Sequence, residues 1–295
     1  MFFSRESPKQ QPLLARPLLH QPLPNGGMRA PSALQPGLQP LLSALPAAQA
    51  STALALNTAL GLGLLVTGKY SGSLTKAGLA HSYALGVLLW ATLGPAGWAA
   101  CVLYLVAGSI VTKVRLAEKQ ARGIAEARGG ARGPENVWGS AATAAACALG
   151  TALLPGAAPL LRVGFVSSLA TKLSDTFASE IGKAYGKSTY LVTTLKPVPP
   201  GTEGAVSLEG TAAGVIGSLI LAGFGVAAGL VSAATVVPCL IAAFVATTFE
   251  SLLGATTQGR LPWLTNEFIN FVNTAVGAAL AMVLVVAAAA AGLGG

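Results

Sequence analysis

Residues 163–214 read VGFVSSLATKLSDTFASEIGKAYGKSTYLVTTLKPVPPGTEGAVSLEGTAAG, and Asp175 within them is the single aspartate of the chain. It lies at the polar end of an apolar run, where an ionised side chain costs about 2.5–3.5 kcal/mol on the translocon scale. On a helix, Gly164, Ser168, Thr171, Asp175, Ser179, Gly182 and Gly186 recur every three or four positions and share one face. The result is a strip of small residues with one carboxylate set into it, along which a helix or a ligand can approach the backbone. Lys183, Lys187 and Lys196 follow, then a Pro-Pro-Gly loop, then Glu209-Gly210-Thr211 at the head of the next apolar run. One account is a tight helix seam with Asp175 partnered by Lys172 or Lys183. The other is a phosphate-and-metal site. A lone Asp, three lysines and a Gly-rich loop within about thirty residues favour the second.

Composition sets the class. Fifty-three per cent of residues are hydrophobic and 9% charged, which predicts a polytopic, all-α membrane helix bundle. The net charge of +8 is no nucleic-acid footprint, because the basic residues sit between apolar runs without interleaved aromatics. Cys101, Cys147 and Cys239 are widely spaced in apolar runs, and the histidines are only His20 and His81. That excludes a disulfide framework, zinc chemistry and Cys/His nucleophilic catalysis. Residues 1–50 hold nine of the eighteen prolines, four basic residues and one acid, Glu6. An acid-poor, basic leader of this kind predicts a disordered organelle transit peptide, leaving 51–295 as the membrane-embedded domain.

Apolar runs fall at about 52–67, 78–94, 97–112, 137–155, 159–178, 211–231, 233–250 and 267–292. Their lengths admit seven or eight spans, and loop charge selects eight. Connections 68–77, 113–136, 179–210 and 251–266 carry twelve of the fourteen basic residues after the leader, and with eight spans all four fall on one side. Arg162 is the exception, near the other end of its run. Residues 113–128 of the long basic connection read as a solvated segment on anionic lipid, whereas Arg132 to Ser140 run straight into a span.

The same side collects polar residues. Asn136, Ser140 and Thr143 form one stripe; Thr247, Glu250, Ser251 and Gly254 a second; Asn266, Asn270, Asn273 and Gly277 a third. Each alone is ordinary interhelical hydrogen bonding. Together with Glu135, Asp175, Glu180, Glu209, Glu250 and Glu267 near one level, they suit a magnesium–polyphosphate complex. Mg²⁺ takes one or two carboxylates plus phosphate oxygens, and surrounding cations, Arg132 among them, neutralise the remaining charge.

Asp175, Ala178, Gly182 and Gly186 spell D-x-x-A-x-x-x-G-x-x-x-G, followed by Lys187. This element resembles one in the CTP-dependent polyprenol kinases, such as dolichol kinase and phytol kinase, as does the later Glu209-Gly210-Thr211. A closer resemblance covers about Ala53 to Leu293. It is to an integral-membrane family that includes the plastid phytyl phosphate kinase of vitamin E synthesis. RGPENVWGS, SSLATKLSDTFASEIGKAYGK, TTLKPVPPGTEGAVSLEGTAAG, TTFESLLGA and LTNEFINFVNT carry it. The resemblance implies that Asp175 and Glu180 hold a metal or nucleotide phosphate and that Lys183, Lys187 and Lys196 bind phosphates. Glu209 would complete the catalytic set, with Gly182 and Gly186 giving close approach. Asn136, Ser179, Thr211, Glu250, Asn266 and Asn270 are expected as polar support.

The expectation is therefore a phytyl phosphate kinase of a chloroplast membrane, the envelope by preference. It would use Mg²⁺ with CTP or another nucleoside triphosphate. A phosphate acceptor, with its second pKa near about 6, is already largely dianionic and needs no base. The alternatives are a prenol kinase or lipid-phosphate cytidylyltransferase with Asp175 as base, and a transporter. The transporter is disfavoured because the polar stripes gather at one membrane face and no internal repeat is seen.

Overall fold

The computed structural model describes residues 47–256 and 263–292. Most of the leader, and Arg260 in the last basic connection, lie outside them. Among the described residues the helices are α1 (Ala47–Thr67), α2 (Lys76–Lys113), α3 (Leu116–Ala121), α4 (Pro134–Leu153) and α5 (Ala158–Tyr185), then α6 (Leu208–Ala227), α7 (Val236–Thr256) and α8 (Asn266–Ala290). The described residues form the helical bundle that the sequence predicts, with one short ribbon added. Strands β1 (Thr189–Leu191) and β2 (Ala205–Ser207) pair antiparallel between α5 and α6.

Helix α2 is two spans. Gly94 adopts φ 67°, ψ −161° immediately before Pro95. Glycine tolerates that left-handed turn, and proline cannot continue a helical hydrogen-bond ladder. The halves fold back on each other. Gly78, near the start of the first, lies against the Arg132 carbonyl, and Gly108, near the end of the second, lies against the Arg132 guanidinium. Trp90 and Trp98 meet edge to face at 5.7 Å near the turn. All eight apolar runs are thus recovered as α1, the two halves of α2, α4, α5, α6, α7 and α8.

By length and hydropathy five helices are fit to cross a membrane: α1, α2, α6, α7 and α8. Helix α5 is more polar because it faces protein. It packs on α2, α4, α6, α7 and α8, and every residue from Val163 to Ser174 is buried. Intramembrane polar groups are tolerated where protein rather than lipid surrounds them. Close approach comes from small residues on the partner helices. An added Cβ at Gly210, Gly214 or Gly217 would press on Ala178, Ser174 or Leu173 of α5, and one at Gly277 of α8 would strike Thr171. The small-residue strip of α5 therefore divides. Its Gly164–Thr171 half is a helix seam, and its Asp175–Gly182 half faces the site described below.

The basic connections gather at one end of the bundle. Leu74 bridges Arg132, Gly201 packs on Ile124, and Gly204 packs on Ser251 and Ala255 of α7. The links at Gly94, 154–157 and 228–235 are short and uncharged. In the intact membrane, cysteines placed at Lys69 and Lys196 should react with an impermeant maleimide from the same side, and one at Gly156 from the opposite side only. Labelling of all three from one side would refute this topology.

Candidate active site

A cavity of about 620 Å³ opens at the end where the basic connections gather. Small-molecule sites span roughly 300–1,000 Å³. It brings together most residues singled out from the sequence: Asp175, Ser179, Glu180, Gly182 and Lys183 of α5, Arg132 and Asn136, Thr211 of α6, Glu250 of α7, and Asn266 and Asn270 of α8. It leaves out Gly186, Lys187, Lys196 and Glu209. The reason is local. Helix α5 ends at Tyr185, and the β1–β2 ribbon carries Lys187 and Lys196 to the exposed surface. Glu209 faces the same ribbon and accepts from the Lys187 backbone N at 3.4 Å.

The inner part of the cavity is a charged network. Lys172 Nζ lies 2.5 Å from Asp175 Oδ2 and 2.5 Å from Asn270 Oδ1. Glu250 accepts from Asn273 Nδ2 and stands close enough to Asp175 and Lys172 for their charges to interact. Asp175 thus has the partner that a helix seam would require and also faces a cavity. Two further polar groups of the wall, Tyr104 OH and Thr247 Oγ1, are buried without a protein hydrogen bond. Arg132 is held 5.4 Å above the Tyr104 ring and donates to Ser109 Oγ at 3.2 Å.

The outer part overturns one expectation. Lys119 lies in the stretch read as solvated, yet it is 0% exposed and ion-paired with Glu180, itself 1% exposed. Lys183 bridges the other Glu180 oxygen at 3.3 Å and Glu126 at 3.1 Å. Burial alone would raise the Glu126 carboxyl, but Lys183 outweighs it and holds that carboxyl below its ordinary value. Arg115 and Arg122 donate to the carbonyls of Ala184 and Lys183, where a helix C-terminus favours cations. The connection is a roof docked on α5.

Glu180 is consequently not placed as the expected partner of Asp175 for a metal. Five helical positions rotate it by about 140° from Asp175, and both its oxygens already face ammonium groups. Asp175 and Glu250 are the carboxylates that converge.

Comparison with known proteins follows this geometry. The family described as "Integral membrane protein DUF92" matches residues 59–278. The chain belongs to that family. An uncharacterized membrane protein of Synechocystis is 55% identical over 210 residues, covering 71% of this chain and 81% of its own length. "Protein VTE6, chloroplastic" of Arabidopsis thaliana is 44% identical over 230 residues, covering 76% and 68%. An uncharacterized membrane protein of Methanocaldococcus jannaschii is 29% identical over 225 residues, covering 73% and 87%. No solved structure matches. The matched stretch of the family holds every cavity residue named above.

Sequence reasoning missed Lys172 as a cavity group, although its place three residues before Asp175 signalled the pair. It missed Lys119, Glu126 and Tyr104, whose partners are remote in sequence. The roof gives a stability prediction. Removing one member of a buried ion pair costs about 3–5 kcal/mol, whereas replacing both with apolar groups is often neutral. Lys119→Met and Glu180→Leu should each lower the thermal midpoint in detergent, and the double variant should recover most of the loss. Additive losses would show that the pair is not coupled.

Proposed function

We propose that this chain is a membrane-embedded phosphotransferase that moves a phosphoryl group from a nucleoside triphosphate to phytyl phosphate, giving phytyl diphosphate for tocopherol synthesis in a chloroplast membrane. The observation that carries the reading is the converging Lys172–Asp175–Glu250 network inside a cavity that also holds Arg132 and Lys183. The 44% identity to a chloroplastic relative supports the compartment. The likeness of the α5 and α6 segments to polyprenol and phytyl phosphate kinases supports the reaction class.

The residues present suit a magnesium ion. Two carboxylates of different helices meet at the cavity wall, with unpartnered Tyr104 and Thr247 oxygens in the same lining. Asp175 and Glu250 would hold it, and bound Mg²⁺ would neutralise phosphate charge and align the transferred group. Lys183 and Arg132 orient phosphate oxygens, and Lys172 fixes the Asp175 carboxylate. Among the described residues no histidine lines the cavity, and Trp138 Nε1 holds His81 at 2.9 Å elsewhere. A phosphate acceptor needs no proton removed, so the site suits a monophosphate better than an alcohol.

Purified protein given labelled nucleotide and phytol, phytyl phosphate or geranylgeranyl phosphate decides the matter. Transfer should be Mg²⁺-dependent and favour the monophosphates. Asp175→Asn and Glu250→Gln should each lower kcat on the order of 10²-fold, whereas Lys187→Ala and Lys196→Ala should stay near wild type. Equal turnover of phytol, or undiminished activity in excess chelator, would overturn the assignment.

A further inference from the structure

Two apolar residues of the cavity wall are themselves exposed. Val215 of α6 and Phe244 of α7 both line the cavity and are 42% and 50% exposed, beside outward neighbours Ile216 and Ile241 on the same helices. Residues that belong to both surfaces mark a gap in the wall. Val215 lies seven residues into α6 from Leu208, and Phe244 lies seven residues into α7 from Ser251, the residue against which Gly204 packs. At 1.5 Å per residue both stand about 10 Å inside the bundle from the end where the basic connections gather. Both helices are long and apolar enough to cross a membrane, and the gap lies within their length. Thr248, one turn along α7 from Phe244, also lines the cavity, and its hydroxyl is turned back to the Phe244 carbonyl at 2.8 Å, which removes its polarity from the opening.

Two other walls are closed. Helices α5 and α6 are sealed through Gly210, Gly214 and Gly217. Helices α4 and α8 are joined by Asn136 to Glu267 at 3.2 Å and by Thr143 to Thr274 at 2.9 Å. Outside the gap the surface stays apolar, with Ile216, Leu219, Ile241 and Val245 all 43–54% exposed.

We propose that the α6–α7 gap is the port through which the prenyl tail of a lipid monophosphate leaves the cavity for the bilayer, while its phosphate stays among Lys172, Lys183 and Arg132. The proposal rests on the phosphotransferase reading only for the identity of the head group. Its occupant follows from the continuity of the two surfaces. A ligand filling both must be anionic at one end and apolar at the other. Its chain must also be slender enough to pass between two helices, and on this route the tail never crosses water. Val215 and Phe244 are then positions that select for chain shape, and the water-facing opening under the roof is left to the nucleotide.

The test uses the full chain in lipid nanodiscs and a geranylgeranyl monophosphate carrying a diazirine midway along its tail. After photolysis and digestion, label should fall on peptides holding Val215, Phe244 or Thr248 and should be competed away by unlabelled phytyl phosphate. Val215→Trp should cut the yield by roughly fivefold or more through overpacking of the gap, and Phe244→Trp should do the same. Val106→Trp, on an outward face of α2, should not. Label spread over all outward faces, or indifferent to both port variants, overturns the port. Phosphoryl transfer is measured on the same preparation. Competable labelling at the port without transfer supports the port and sinks the kinase reading. Transfer with diffuse labelling sinks the port and leaves the kinase reading standing.

Discussion

The ion pair between Lys119 and Glu180 holds the rest of the site in place. Both side chains are removed from solvent, and an isolated charge there is strongly disfavoured. The pair persists because its remaining hydrogen-bonding capacity is met. Lys119 also donates to the Thr112 carbonyl at 2.8 Å, and Glu180 also takes Lys183. Through this one contact the connection after α2 is fastened to the last turns of α5. Arg115 and Arg122 then settle on the terminal carbonyls of that helix, and Glu126 reaches Lys183. Further along the connection the anchors change: Arg128 is held by Glu135 and Asn136, and Arg132 by Tyr104 and Ser109 of α2.

A second constraint comes from the membrane. Helix α5 carries Lys172 and Asp175 at a depth where lipid contact is prohibitive, so it must be wrapped by other helices. The glycines of α6 and α8 allow that wrapping to be close. Beyond Lys172, away from the roof, Leu169 and Phe165 of α5, Leu221 of α6 and Ala242 and Ala243 of α7 are 0–1% exposed. The polar cavity is thus deeper than a surface site, reaching Tyr104 and Lys172, but it ends blindly against a packed core. A transport path would need that core to part.

How much of this was legible depended on the range of the interactions. Run length and the Gly94-Pro95 pair gave the spans, because membrane thickness and backbone geometry act locally. Loop charge gave the common side. The faces carrying Asp175, Glu250 and Asn270 were readable because helical periodicity is fixed. Lys187, Lys196 and Glu209 were legible as chemistry but not as position, since nothing in a Pro/Gly-rich connection says that a short ribbon will turn them outward. Lys119 was illegible for the opposite reason. Its partner is 61 residues away, and a buried lysine in a basic segment looks in sequence like any solvated one.

The charge inventory of the cavity limits how it works. Among the described residues its lining holds six acids, Glu126, Asp175, Glu180, Glu203, Glu250 and Glu267, against four bases, Arg128, Arg132, Lys172 and Lys183. Of these, Arg128, Lys172 and Lys183 are already committed to carboxylates. Such a lining does not attract a bare polyphosphate, because repulsion from the excess carboxylates opposes the few free donors. On the proposed function it would accept a polyphosphate that arrives with a divalent cation, which would convert the Asp175–Glu250 pair from a source of repulsion into ligands. On the proposed function the metal is therefore a condition for nucleotide binding and not only an aid to transfer. The same inventory explains why the acceptor should come from the side. On the proposed port, a lipid phosphate drawn between α6 and α7 would reach Lys172 and the Asp175–Glu250 pair without first passing the acids under the roof.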